Sequence, residues 1–184
     1  MEKVAIFIDG GYLSKVLKES YSSAAIDFSK FSEMLTGDYQ LLRTYYYNCM
    51  PYKSKSPTEG ENKRYNNMQA FINSLERLDR FAVKLGKLEY RGRKADGSPI
   101  YQQKRVDILL GCDLVLLSAK QRIAKAVLVT GDSDFIPAIE IAKNEGVEIE
   151  LVYDDAQAPH PNLITIADTR KLLTQGIIDS IRKI

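Results

Sequence analysis

The sequence predicts an α/β fold with a mainly parallel sheet, and three short apolar runs are the main evidence. Residues 4–8 and 126–129 contain almost no polar side chain, which is typical of strands covered on both faces. Residues 147–152 form a third run, rich in β-branched side chains. A helical stripe over 135–142 separates the last two runs, and Gly146 follows as its expected stop. Together these features predict a βαβ unit.

The remaining segments continue the alternation of strand and helix. Residues 39–48 and 81–88 have the composition of strands, whereas 64–78 and 105–123 have that of helices. Two polar stretches that contain glycine, 48–62 and 91–98, are predicted to be surface loops within one domain. The prediction is therefore a single domain over residues 1–184.

Composition limits the classes of function. The chain has 184 residues, 45% of them hydrophobic, and a net charge of +2, which by itself does not indicate a nucleic-acid partner. Cys49 and Cys112 are too few for a disulfide framework or a cysteine zinc site. Asp9 ends the first apolar run before it reaches the length of a signal or membrane segment. We therefore expect a cytoplasmic protein with no membrane partner.

Acidic side chains follow two of the predicted strands. Asp9 ends the first strand, and Asp132 and Asp134 follow the strand at 126–129. Ligands of open α/β sheets collect at the carboxyl ends of the strands, so these acids converge if the two strands are neighbours. Two unit charges about 4 Å apart at an effective dielectric near 20 repel by about 4 kcal/mol. Such a group favours a cation, and oxygen ligands suit Mg²⁺ or Mn²⁺.

A second interpretation is local. Asp132 or Asp134 could instead cap the helix that starts near Phe135, because exposed N–H groups at a helix start favour an acid. Capping accounts for one member of that pair more readily than for all three acids. The metal site is therefore the preferred hypothesis for the group.

Asp107 and Asp113 interrupt a helix that is otherwise apolar on almost every side. Six residues of helix turn through roughly 600°, so the two carboxylates point in different directions and should have different roles. Asp107 lies near the helix start and is assigned to the acidic edge. Asp113 is either a further ligand or an acceptor of hydrogen bonds from neighbouring groups.

Three motifs occur in an order that resembles a known family. They are FIDGGYL at 7–13, QKRVDILLGCDLV at 103–115 and VTGDSDFIPAIEIAKNEGVEI at 129–149, with YYYNCMPY and FAVKLGKLEYRG between the first two. The set resembles the NYN domain family, in particular its LabA-like branch, within the PIN-like nuclease superfamily. The chain departs from many relatives at Tyr12, where they have asparagine.

The resemblance implies a Rossmann-like three-layer α/β/α sandwich, PIN-like, with a metal-dependent ribonuclease centre. It implies that the catalytic, metal-binding acids are Asp9, Asp107, Asp132 and Asp134, with Asp113 as a further candidate. Two divalent ions, Mg²⁺ or Mn²⁺, held by such acids could hydrolyse a phosphodiester bond. The expected activity is endonucleolytic cleavage of RNA, in single-stranded form, with DNA not excluded.

Other residues bear on the mechanism and the substrate. The chain has one histidine, His160, so a mechanism that uses a pair of histidines is excluded. Basic side chains in the polar breaks could bind a phosphate backbone, with Tyr52 and Tyr65 stacking on unpaired bases. The candidates for substrate binding are Lys53, Lys55, Arg64, Arg91, Arg93, Lys104, Arg105, Tyr12 and Ser133.

Two alternatives stay open at this point. Charged loops of this kind are usually no more than solvated surface. The chain could also be a non-catalytic RNA-binding or regulatory module that retains the fold. A homo-oligomer is compatible with either function.

Overall fold

Seven strands form one sheet in the computed structural model, which describes residues 2–97 and 99–183 and, within them, all side chains except those of Gln103 and Lys104. The strands are β1 (Lys3–Asp9), β2 (Gln40–Cys49), β3 (Phe81–Arg93), β4 (Pro99–Lys104), β5 (Lys125–Val129), β6 (Glu148–Tyr153) and β7 (Thr169–Leu172). Their order is β4-β3-β2-β1-β5-β6-β7, and all neighbours are parallel except β3 and β4. The order therefore reverses between β1 and β5.

Helices cover both faces of the sheet. They are α1 (Gly10–Ser20), α2 (Phe28–Thr36), α3 (Glu59–Glu76), α4 (Val106–Ala119), α5 (Ile136–Asn144), α6 (Pro161–Ile166) and α7 (Gln175–Ser180). The helices α1, α2, α3 and α7 pack on one face, and α4, α5 and α6 pack on the other. This three-layer α/β/α sandwich confirms the predicted fold class. Among the described residues, no helix has the length and apolar character needed to span a membrane.

Strand β1 shows why its sequence lacks polar alternation. Val4, Ile6 and Ile8 are fully buried in one core, while Ala5 and Phe7 are fully buried in the other. Because both faces of the strand are covered by helices, every side chain of 4–8 must be apolar. The same burial applies to β5, whose position beside β1 brings two acidic strand ends to one edge.

The strand β3 is longer than the sequence predicts. The predicted loop at 91–98 is shorter in the structure, because β3 continues to Arg93 and pairs with β4 as an antiparallel hairpin. This hairpin extends beyond the part of the sheet that helices cover, and its side chains are largely exposed. It therefore lacks the apolar pattern by which a buried strand is recognised.

The helix α3 also begins earlier than predicted. Thr58 and Glu61 form a capping box: the Glu61 N–H donates to Thr58 Oγ1 at 3.2 Å, and the Thr58 N–H donates to Glu61 Oε2 at 3.0 Å. Threonine followed three residues later by glutamate is a recognised start signal. The predicted loop at 48–62 therefore ends at Thr58. The predicted helix stop is confirmed, since Gly146 follows α5 with a φ of +84°.

Candidate active site

The reversal of strand order brings Asp9 and Asp132 to the same edge of the sheet. Strands β1 and β5 are parallel neighbours, with Ile8 opposite Val129, so that both acids follow the carboxyl ends of adjacent strands. The buried hydroxyl of Thr130 lies between them. It donates to Asp9 Oδ2 at 3.2 Å and accepts the N–H of Asp132, also at 3.2 Å. One side chain therefore links the two acidic motifs.

Helix capping and the acidic site are compatible here. Asp9 Oδ1 accepts the N–H groups of Gly11 at 2.9 Å and Tyr12 at 3.1 Å, and so caps α1. Asp132 Oδ1 accepts the N–H of Asp134 at 2.9 Å and caps the short 3₁₀ turn Ser133–Phe135. These bonds orient both carboxylates through one oxygen each. The side chains that the structure describes place no donor on the other oxygen of Asp132.

Two glycines beside the acids are required by close packing. A Cβ on Gly10 would lie 2.5 Å from the Tyr46 ring and 2.7 Å from Asn48 Nδ2. A Cβ on Gly131 would lie 2.6 Å from the Tyr12 ring. Real Cβ atoms do not approach neighbours so closely, so that any side chain at either position would force these neighbouring side chains to move.

The four predicted acids, Asp9, Asp107, Asp132 and Asp134, are called the acid group below. Burial raises the pKa of Asp9; hydrogen bonds from Tyr12, Thr130 and Gly11 oppose this rise, and the charge of Asp107 adds to it. Burial also raises the pKa of Asp107, and the charges of Asp132 and Asp134 raise it further. The four carboxyl groups thus act on one another electrostatically.

The acid group has the donor chemistry of a site for a hard cation. The ion pairs found among the described residues involve none of its four carboxylates. However, the described residues contain no group of three or more His, Cys, Asp or Glu side chains placed to hold a metal ion. Carboxylates fit Mg²⁺ or Mn²⁺ by their chemistry. Their spacing in this conformation does not form a complete ligand set.

Asp113 differs from the acid group, among the described side chains, in having an ion-pair partner. Its carboxylate accepts the Tyr47 hydroxyl at 2.8 Å and the Lys84 ammonium at 3.2 Å. Burial, with the charge of Asp113 second, raises the pKa of Tyr47, which keeps this hydroxyl a donor. Of the two roles that the sequence left open for Asp113, these contacts support that of a hydrogen-bond acceptor.

Tyr12 takes part in a contact that the sequence does not reveal. Its hydroxyl donates to the carbonyl of Gln157 at 3.2 Å and accepts the N–H of Asp154 at 3.1 Å. Burial raises the pKa of Tyr12 to about 12. The residue therefore joins α1 to the loop after β6, and its predicted contact with substrate stays a prediction. Ser133 is half-buried between two acids, and its predicted substrate contact is equally untested.

The predicted basic residues whose side chains the structure describes are exposed. Lys53 and Lys55 are in the loop before α3, where the Lys53 ammonium lies 5.1 Å from the centre of the Tyr65 ring. The remaining described candidates are Arg64 on α3, Arg91 and Arg93 on β3, and Arg105 before α4. The Lys104 side chain lies outside the described part of the chain. Binding of substrate by these residues stays a prediction.

Asp154 is a buried acid that the sequence analysis did not single out. It follows β6, and its carboxylate accepts hydrogen bonds from Ser20 Oγ at 2.7 Å, the Tyr21 hydroxyl at 2.8 Å and the Gln157 N–H at 3.0 Å. Its position after the strand run at 147–152 was the available signal. Asp154 supports the loop that Tyr12 contacts, next to the acid group.

The fold and the site define a class of protein: a Rossmann-like α/β/α domain with acidic side chains at the sheet edge where the strand order reverses. The model of the NYN domain family matches residues 3–170, and the chain belongs to this family. The family resemblance predicted from the motifs is thus confirmed at that level. This membership places the chain in the PIN-like nuclease superfamily.

The chain is also similar to one protein in sequence and to another in structure. An uncharacterized protein of Sinorhizobium fredii, y4oD, is 31% identical over 104 residues, which is 55% of this chain and 44% of that protein. The match thus spans less than half the length of this relative. A crystal structure of a protein of unknown function from Vibrio parahaemolyticus is similar with a TM-score of 0.61 and 19% identity, over 95% of this chain and 94% of that one. This similarity supports the fold.

Proposed function

We propose that the protein is a metal-dependent endoribonuclease that hydrolyses phosphodiester bonds of single-stranded RNA, as a member of the LabA-like branch. The proposed centre holds two Mg²⁺ or Mn²⁺ ions on Asp9, Asp107, Asp132 and Asp134. The observation that supports this proposal most directly is the acid group itself. Burial raises the pKa of Asp9 and Asp107, the charge of Asp107 adds to the rise at Asp9, and the charges of Asp132 and Asp134 add to the rise at Asp107. No described lysine or arginine forms an ion pair with the four carboxylates.

The residues of the chain would hold and orient the charge at this centre. The N–H groups of α1 and the Thr130 hydroxyl fix Asp9, while the 3₁₀ turn fixes Asp132. Asp107 and Asp134 are exposed, which leaves their side chains room to turn towards an ion. Bound Mg²⁺ or Mn²⁺ would supply Lewis acidity and lower the pKa of water.

RNA is the proposed substrate because the loop before α3, α3 itself and the β3–β4 hairpin carry exposed basic side chains, among them Lys53, Arg64 and Arg91. Phosphate contacts provide most of the affinity that does not depend on nucleotide sequence. DNA is the second candidate, since such contacts do not distinguish the two sugars. The proposal retains the cytoplasmic location expected from the sequence.

The alternative is an RNA-binding or regulatory module without catalysis. One observation favours it specifically: the described acids do not form a ready set of three metal ligands. Tyr12, at the position of the asparagine found in many relatives, has its hydroxyl occupied by the loop after β6. Either feature could accompany a loss of cleavage.

The proposal is tested with purified protein and a labelled single-stranded RNA in the presence of Mn²⁺ or Mg²⁺. We expect cleavage that EDTA abolishes and that Asp132→Asn also abolishes. Asparagine retains the oxygen that accepts the Asp134 N–H, so the melting temperature should not fall. A circular RNA distinguishes endonucleolytic from exonucleolytic cleavage, and a DNA strand of the same sequence tests the sugar.

Two results would contradict the proposal. Cleavage that persists in EDTA would remove the metal from the mechanism. RNA binding without cleavage under all metal conditions would favour the non-catalytic module.

A further inference from the structure

Three tyrosines, Tyr52, Tyr90 and Tyr101, form a cluster at the β3–β4 hairpin. The ring centres are 5.3 Å apart for Tyr52 and Tyr101, 5.8 Å for Tyr52 and Tyr90, and 6.1 Å for Tyr90 and Tyr101. Tyr90 and Tyr101 face each other across the two strands, and Tyr52 joins them from the loop after β2. We call these three residues the tyrosine platform.

The platform exceeds what the stability of the hairpin requires. A pair of aromatic side chains across two strands stabilises a hairpin by about 0.2–1 kcal/mol. Such a pair would explain Tyr90 and Tyr101 but not the third ring. In addition, Tyr90 is 44% exposed and Tyr101 is 40% exposed. The cluster therefore presents aromatic surface to solvent instead of burying it.

A basic groove adjoins the platform. A cavity of about 570 Å³ is lined by Tyr52, Lys53, Tyr65 and Lys87 together with neighbouring backbone and apolar residues. Lys53 lies over the Tyr65 ring, so that cationic and aromatic surface meet in the groove. This combination is typical of sites for single-stranded nucleic acid, where bases stack on rings and cations follow the phosphates.

The hairpin connects the platform to the acid group. Its pairing starts at Lys87 and Lys104, and Tyr90 and Tyr101 lie three residues further out, about 10 Å at 3.3 Å per residue. The return strand β4 leads through Arg105 directly into α4, whose first turn contains Asp107. A strand lying along the hairpin would therefore approach the acids from the platform.

We propose that the tyrosine platform stacks unpaired bases of single-stranded RNA and guides the strand from the basic groove towards the acid group. The inference rests on the proposed ribonuclease function and names the recognition site of that activity. It assigns base stacking to Tyr52, Tyr90 and Tyr101, and phosphate contact to Lys53 and Lys87. Bases inside a duplex are covered on both faces by their stacked neighbours and leave no face for the rings, so the platform selects single strands.

The first experiment uses the unmodified protein in EDTA, where the proposed cleavage is blocked. Binding of a fluorescein-labelled oligouridine is compared with binding of a strand of equal length and charge in which abasic spacers replace the internal nucleotides. We expect the abasic strand, and a duplex that contains the same oligouridine, to bind about 5- to 100-fold more weakly. Equal affinity for base-bearing and abasic strands, or no binding of either, would overturn the inference.

The second experiment replaces the rings. Tyr90→Ala and Tyr101→Ala should weaken oligouridine binding about 5- to 100-fold and leave the affinity for the abasic strand unchanged, whereas Tyr90→Phe and Tyr101→Phe should bind normally. Leu172→Ala is a matched control, because Leu172 is 42% exposed on β7 at the opposite edge of the sheet. Melting temperatures identify variants that fail to fold. If a variant fails to fold, the inference is judged by comparing how the unmodified protein binds oligouridine and the abasic strand.

Failure of the platform and failure of the ribonuclease proposal give different results. Tyrosine-dependent binding with no cleavage in Mn²⁺ would support the platform and contradict the nuclease. Cleavage in Mn²⁺ with no discrimination against the abasic strand would support the nuclease and contradict the platform. If Tyr90→Ala instead dissociates a dimer in sedimentation and leaves RNA binding unchanged, the cluster is an interface between two copies of the chain and the inference is wrong.

Discussion

Acidic side chains gather in two parts of the sheet, and their neighbours differ. On β5, β6 and β7, Glu148 and Glu150 form ion pairs with Lys125, and Lys171 also pairs with Glu150. At the opposite ends of β1 and β5, the acid group has no such partner among the described side chains. We call the first set, Lys125, Glu148, Glu150 and Lys171, the lysine–glutamate group.

The comparison separates acids that are paired with lysines within the chain from acids that have no such partner among the described side chains. Buried charges persist in a folded protein when opposite charges or hydrogen bonds compensate them. The lysine–glutamate group meets this condition within the chain. The acid group meets it only through backbone N–H groups and one hydroxyl, so that its remaining charge favours protons or a cation.

The largest effect is expected from Glu150→Ala. This change leaves Lys125, whose side chain is 13% exposed, without its main partner, and breaking a buried pair costs about 3–5 kcal/mol. We expect the melting temperature to fall by roughly 10 °C in a thermal scan. Glu148→Ala is the matched control, because Glu148 is more exposed and should cost less. Equal falls in melting temperature for the two variants would show that the burial of Glu150 does not make its ion pair more important.

The second effect concerns activity. Asp9→Asn should lower the rate of RNA cleavage by roughly 10²- to 10³-fold, the usual size for losing one electrostatic contact to a reaction centre. Its cap on α1 should survive, because asparagine retains Oδ1. Asp113→Asn on α4 should leave the rate within about threefold, since Asp113 already pairs with Lys84. A large loss of rate in Asp113→Asn would instead return Asp113 to the set of metal ligands.

The smallest effect is electrostatic and is measured without metal. The raised pKa values of Asp9 and Asp107 mean that the folded state binds protons more tightly than the unfolded chain. Stability from these groups is therefore present at low pH and is lost as the pH rises through the raised pKa values. Asp107→Asn should thus raise the melting temperature relative to the unmodified protein near neutral pH.

The difference should shrink as the pH falls below the ordinary aspartate pKa of about 3.9, because the acid is then protonated in both the folded and the unfolded state. Asp107 is exposed, so the gain should stay below about 1 kcal/mol, or a few degrees. If Asp107 binds the ion, the unmodified protein should have a higher melting temperature than Asp107→Asn in saturating Mn²⁺. An Asp107→Asn variant that melts lower than the unmodified protein in EDTA at neutral pH would show that repulsion does not dominate there.

The buried part of the fold could be predicted because strands covered on both faces have uninterrupted apolar sequences. Residues 4–8 and 126–129 are apolar throughout since helices cover both faces, whereas their pairing as neighbours in the sheet had to be assumed. The exposed hairpin formed by β3 and β4 has no such apolar run. Its register depends on pairing between residues such as Tyr90 and Tyr101, which composition does not reveal.

The acid group could be predicted for a related reason. Asp9, Asp132 and Asp134 follow buried strands, and parallel topology alone brings such positions to one edge. Asp154 follows β6 in the same way, but its hydrogen bonds with Ser20 and Tyr21 depend on how α1 packs. Contacts between distant segments of this kind cannot be deduced from local patterns.

The Thr130 hydroxyl makes the acid group depend on the alignment of two strands. It meets Asp9 only because Ile8 lies opposite Val129, and a shift of one residue between β1 and β5 would turn the threonine to the other face of the sheet. A chain with the wrong alignment would therefore lack the acid group even if it were compact. The arrangement of the acid group therefore reports on correct folding, because it forms only when β1 and β5 pair in the native register.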